Sequence, residues 1–219
     1  MAPRGVRALV LFACGVAAVG LHSATAQPAS RRSPDELRSA LQALEPGQSL
    51  TDGASTMTML QKQSGRRDPD GWYAAVARGT GFRVHVPAPF NELLTVGPTT
   101  DGGTLESDSL GGMTEDGQRF SATCMRRRDA TPLAVNTDEL ARRLESRGTV
   151  VRRWPVVHGA LTGTGIEIAV TGKEFRFRGE FFGNAAFACQ LTTESGGREH
   201  PYAGARATRF FDSFVPPQQ

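Results

Sequence analysis

Cysteine and histidine are scarce in this chain of 219 residues. There are three cysteines, with no Cys-x-x-Cys, and four histidines without zinc-type spacing. A structural or catalytic zinc site is therefore not expected, and His85, His158 and His200 read as surface or half-buried side chains. No Gly-x-Ser-x-Gly elbow occurs, which removes the strained nucleophile turn of one large class of hydrolases. Gly159, Gly163 and Gly165 lie where a strand, not a helix, should follow. They fit a hairpin turn better than a phosphate loop, and no cofactor is expected. Two Trp and two Tyr offer few stacking platforms for nucleic acid. Beyond the N-terminus no apolar run approaches the ~20 residues that a membrane helix needs.

The N-terminus has the three parts of a secretory signal. Arg4 and Arg7 form a positive start, Ala8 to Leu21 is apolar, and Ala24-Thr25-Ala26 places small residues before Gln27. Residues 1–26 are read as a signal peptide, with Gln27 the first mature residue and an uncleaved anchor as the competing reading. The chain is then exported, periplasmic or secreted. Leu11-Phe12-Ala13-Cys14 partly resembles a lipobox, so a lipoprotein anchored at Cys14 is the alternative. Phe12 and the apolar run beyond Cys14 argue against it. The formal charge of +3 loses Arg4 and Arg7 with the signal and no acid, leaving 23 basic against 22 acidic residues, or +1. With export, this argues against nucleic acid as a partner.

The 25 Gly and 13 Pro favour turns and strands over long helices. Ser33-Pro34-Asp35-Glu36 is a capping box that opens a helix carrying Leu37, Leu41 and Leu44. Residues 45–71 are rich in Gly, Ser, Asp and Thr; residues 27–71 are therefore read as an N-terminal helix and flexible linker. From Trp72 the pattern turns to strands: 82–86, a weaker one over 104–113, then 120–124. A helix should run from Asn136 to about Ser146. Four strands are expected over 150–157, 161–171, 174–182 and 185–193. A closing helix over about 203–214 bears Ala203, Ala207, Phe210, Phe211 and Phe214 as an apolar stripe. Short turns make the sheet mainly antiparallel, with one face under helices and one more polar.

Chemistry-bearing pairs are weak. Glu167 could approach Glu174 or Glu180 across neighbouring strands, but sheets commonly carry such acids on a solvated face. Asp212-Ser213 sits between phenylalanines of the last helix and reads as its polar side. Arginine recurs as Arg126-Arg127-Arg128, Arg142-Arg143, Arg152-Arg153 and Arg176/Arg178. Its planar fork suits carboxylate or phosphate groups. The plainer reading is a solvated face balanced by Glu174, Glu180 and Asp138. Because Arg176 and Arg178 alternate with Phe175 and Phe177, the strand should present them to solvent, and with Arg152 they form the best partner surface.

Three segments resemble the PsbP-like family, which includes bacterial exported PsbP/DcrB-like proteins. They are Trp72-Tyr73 with Gly81-Phe82-Arg83-Val84-His85-Val86-Pro87; Gly163-Thr164-Gly165-Ile166-Glu167 leading to Arg176 and Phe181-Phe182; and Arg209-Phe210-Phe211-Asp212-Ser213-Phe214. The likeness covers about residues 72–215 and departs from the family pattern at Ala188 and Cys189. It implies an α+β domain over 72–219, a mainly antiparallel sheet sandwiched between helices. It carries no catalytic residues and implies a binding or assembly module that recognises a protein or an anionic envelope component. The alternative is an exported hydrolase whose site is not visible in the sequence. Without the signal, Cys124 and Cys189 are the only cysteines. Each shares the phase of a Phe, Cys124 with Phe120 and Cys189 with Phe187, so a disulfide is expected in an oxidising compartment. Two buried thiols on strands that are not neighbours are the alternative.

Overall fold

The computed structural model describes residues 31–63, 71–129, 131–133, 135–170, 176–195 and 203–218. The expected signal peptide, the possible lipid site at Cys14, Glu174, Phe175 and His200 lie outside the described residues.

Helix α1 (Pro34–Ala43) begins as its sequence dictates: Ser33 and Glu36 form the reciprocal capping box, with Pro34 in the first turn. Strands β1 (Ser49–Asp52) and β2 (Ser55–Gln63) follow as a hairpin. This corrects the linker reading of residues 45–71, at least across 49–63. The Met57-Thr58-Met59 alternation buries both methionines, and β2 pairs along its length with β5 (Phe90–Pro98). The remaining strands are β3 (Trp72–Val76), β4 (Arg83–Pro87), β6 (Thr104–Met113), β7 (Arg119–Arg127), β8 (Gly148–His158), β9 (Leu161–Val170), β10 (Arg176–Gly183) and β11 (Ala188–Ser195). Helices α2 (Thr137–Glu145) and α3 (Ala203–Asp212) complete the order.

Nine strands form one sheet in the order β1-β2-β5-β6-β7-β11-β10-β9-β8, with every neighbouring pair antiparallel. The expected α+β sandwich is thereby corrected. The described residues are mostly β, 54% strand and 17% helix, with three short helices among them. A ten-residue helix is only about 15 Å long. Nine strands at about 4.8 Å spacing span roughly 40 Å, beyond the cover of three such helices.

Part of the covering falls to the separate β3–β4 hairpin, which lies with α3 on one face. Trp72, Phe82, Val84 and Val86 from the hairpin meet Phe90, Leu110, Phe120 and Leu191 of the sheet and Phe210, Phe211 and Phe214 of the C-terminal segment. On the opposite face α2 sets Ala141, Leu140 and Leu144 against Ile166, Ile168, Phe177 and Phe181. The β8–β9–β10 end of the sheet is thus packed on both sides.

Cys124 and Cys189 are directly opposed on β7 and β11 and form a disulfide, with Cα atoms 4.1 Å apart. The shared phase with Phe120 that pointed to this bridge is real: Phe120 and Cys124 are buried in the same core.

Candidate functional site

The arginine surface divides in two. Strand register places Arg152, Glu167 and Arg178 side by side on β8, β9 and β10. Arg152 Nε donates to Glu167 Oε2 at 2.8 Å, and Arg176 donates to Glu167 Oε1 at 3.1 Å. These two arginines keep 56% and 48% of their side chains exposed, against 12% for the acid between them. Two cations therefore share one carboxylate.

Arg178 does not join that surface, which corrects its expected solvent position. Alternation does turn it away from Phe177, but α3 covers the face it enters. Its guanidinium lies 4.3 Å from the Phe211 ring centroid and 5.0 Å from that of Trp154. It also donates to Glu180 at 3.4 Å. Glu180 further accepts the Trp154 indole N–H at 3.1 Å and faces His158 Nε2 at 3.0 Å. Arg178, Trp154, His158 and Glu180 form an internal polar cluster beneath α3, with the aromatic rings of Phe182 and Phe214 against His158.

Trp154 rests on Gly165. A Cβ at that glycine would fall 2.1 Å from Trp154 Cε2. Gly165→Ala is therefore expected to push the indole out, with a loss of about 1–3 kcal/mol typical of overpacking. Denaturant melts and a red-shifted tryptophan emission would register it; unchanged values would mean that the ring does not seat there.

Strand β8 is an edge of the sheet. Gly159, at φ +60°, opens its two-residue turn into β9 and makes His158 and Leu161 the first cross-strand pair. Arg152, Trp154 and Val156 consequently direct their backbone groups toward β9. Arg153, Pro155 and Val157 direct theirs outward. Pro155 has no N–H to offer there, and the register shifts between Val150 and Arg152. Both devices blunt the edge against addition of another strand. The side chains remain open: Val150, Val151 and Val157 are exposed, three of the five large exposed apolar residues among those described.

The other arginine runs are occupied by neighbours. Arg126 and Arg128 both reach Glu106, while Arg127 sits between Asp101 and Asp129. A Thr99 hydroxyl and Arg127 hold the Asp101 carboxyl down at about 2. Arg142 and Arg143 pair with Glu139 within α2.

Residues with catalytic potential fall into structural roles. Ser213 Oγ accepts the His85 backbone N–H and donates to the Phe210 carbonyl. Glu167 and Glu180 share a face but are taken up by arginines, Trp154 and His158. Among the described residues no group of three His, Cys, Asp or Glu side chains could hold a metal ion.

One acidic pair was not visible as such in the sequence. Glu92 on β5 and Asp108 on β6 are both fully buried, beneath the turn of the β3–β4 hairpin. Glu92 accepts the backbone N–H groups of Arg78 and Gly79 and the amide of Gln61. Asp108 Oδ2 accepts the Thr80 N–H at 2.7 Å and its hydroxyl at 3.0 Å. The two carboxyls are near enough for each to act on the other. Burial, then the charge of Asp108, pushes Glu92 up to about 7; burial also raises Asp108.

Compared with protein-family models, curated proteins and solved structures, the chain matches none.

Proposed function

We propose that this protein is an exported, non-enzymatic binding module that holds a protein or other envelope component through the side chains of strand β8 and its neighbours. The observation that carries this reading is edge strand β8 itself, which exposes Val150, Val151 and Val157 along its length and, on the other face from Val150 and Val157, the Arg152 guanidinium that shares Glu167 with Arg176. Apolar side chains and exposed guanidinium groups on one edge of the sheet fit an acidic protein segment with an apolar side. Such a partner would gain burial from the valines and steering from the charge. Export is in keeping with the disulfide. Among the described residues no helix is long and apolar enough to cross a membrane. The likeness to PsbP-like proteins points toward binding or assembly in the same way. A hydrolase built on Glu92 and Asp108 would first have to uncover them: both are sealed under a hairpin whose amides occupy one oxygen of each.

The test is site-specific photo-cross-linking of the full chain in its native envelope. A cross-linker at Val157 should capture a discrete partner, and one at Ser49 on the opposite edge of the sheet should not. Arg152→Ser with Arg176→Ser should weaken that capture at low salt and leave the melting temperature nearly unchanged, because exposed ion pairs contribute about 0–1 kcal/mol. Arg178→Ser belongs to a different class and should destabilise the fold. Undiminished capture by the double variant at low salt would remove the arginines from the binding surface.

A further inference from the structure

The turn joining β3 to β4 is anchored at its ends by the buried Ala77 and Phe82, and between them residues 78–80 reach the sheet through polar contacts. Three consecutive backbone N–H groups, those of Arg78, Gly79 and Thr80, point at Glu92 and Asp108. The approach is close: a Cβ on Gly79 would stand 2.8 Å from Asp108 Oδ2 and 2.9 Å from Leu94.

The charges around the pair come from every side. From β2, Gln61 donates to Glu92 and is neutral. From β6, Glu106 is a third acid, held by Arg126 and Arg128 of β7. Arg126 also donates to the Gly79 carbonyl, and Arg78 turns its side chain away to the Leu60 carbonyl. Among the described residues, therefore, no Lys or Arg side chain forms an ion pair with Glu92 or Asp108. Asp108 Oδ1, buried, receives no hydrogen bond from any N–H or hydroxyl. Two neighbouring carboxylates without a cation strongly resist joint ionisation in a dry site. A single proton between them resolves both problems, because it removes one charge and gives an oxygen its missing donor.

We propose that this shared proton is the latch of the β3–β4 turn: while it is present the turn stays docked on the sheet, and its loss as the medium approaches neutrality loosens the turn. The proton belongs to the pair, with Glu92 the acid raised most clearly. The closed turn binds a proton that an open, hydrated pair would give up. Closure is therefore strongest in acid, weakens as pH rises from the ordinary Glu range toward about 7, and levels off above that. The proposal is independent of the β8 binding surface.

The experiment is amide hydrogen exchange of the full chain from pH 5 to pH 9, expressed as protection factors. Those of Arg78, Gly79 and Thr80 should fall at least about tenfold across the range, since each unit between closed and open pKa is tenfold in opening. Leu140 and Ala141 in α2, on the other face of the sheet, should not follow. Glu92→Gln, which keeps the shape without the charge, should flatten the profile. If that variant does not fold, Asp108→Asn serves the same purpose. Carboxyl-carbon NMR of the unaltered protein should show one acid of the pair titrating near neutrality. Protection that ignores pH, an unchanged profile in both variants, or ordinary titration of both carboxyls would each overturn the latch.

Discussion

Phe210→Ala lowers the stability of the fold by roughly 3–5 kcal/mol, a large share of the 5–15 kcal/mol available to a typical domain. Phe210 is completely buried. Its ring meets Phe120 of β7 edge-on at 5.3 Å, and Phe120 in turn meets Trp72 of β3 at 5.2 Å. Helix, sheet and hairpin converge on this stack, so no single element can move in to refill the space. Nor is the surrounding layer soft: Phe82, Phe182 and Phe211 are as buried as Phe210. Urea melts measure the loss as a lower midpoint with an unchanged slope. Ser213→Ala, three residues away, removes one hydrogen-bonding hydroxyl from a half-buried site and should cost only about 1 kcal/mol. A Phe210→Ala midpoint within about 0.5 kcal/mol of the unaltered protein would show that α3 is not packed on the core.

Removing the disulfide is the other large effect. The bridge closes a loop with a sequence separation of 65, which corresponds to about 4 kcal/mol in the chain-entropy picture. Cys124→Ala with Cys189→Ala should approach that loss in a denaturant melt. The measured value falls below it if the reduced unfolded chain keeps residual structure. Mass spectrometry of unreduced, alkylated protein checks the bond itself. Two alkylated thiols would show it to be absent, and a double variant as stable as the original would show that the β7–β11 pairing does not depend on it. Both sulfurs belong to buried residues, so a reductant should act mainly through opening of the sheet.

The legible parts of the chain were those in which one physical preference acted alone. The capping box at Ser33 and Glu36 fixed the start of α1, and the Phe stripe marked α3. The Ile166, Ile168 alternation marked β9, and the common phase of Cys124 and Phe120 pointed to the bridge. Strand β5 is hidden in the sequence because Glu92 sits where alternation calls for an apolar residue, followed by two adjacent leucines. Strand β2 was masked by Ser, Thr and Gln, although its two methionines are core residues. The same preference for placing acids in water hid Asp108. An acid inside a strand earns its burial from partners supplied by a distant turn, here residues 78–80, and no local pattern announces them. The burial of Arg178 is hidden for a related reason: the strand period gives the face on which a side chain lies, not whether a helix some thirty residues later in the chain covers that face.

The strand order divides the sheet into an N-terminal group, β1, β2, β5, β6 and β7, and a C-terminal group, β8 to β11, that meet only where β7 pairs with β11. Each group pairs strands in chain order, with only the β3–β4 hairpin set between β2 and β5, and can zip up as the chain emerges. The seam cannot. Strand β7 is complete at Arg127, whereas β11 ends at Ser195. At about 5–20 residues per second, several seconds of synthesis separate them. Throughout that interval β7, with Phe120, Ala122 and Cys124 on its inner face, is an open edge and a ready template for a wrong strand. The assembly of this fold therefore has a vulnerable interval defined by one strand, and whatever keeps the growing chain apart from its copies has to shield Phe120 to Cys124 until the last hairpin arrives.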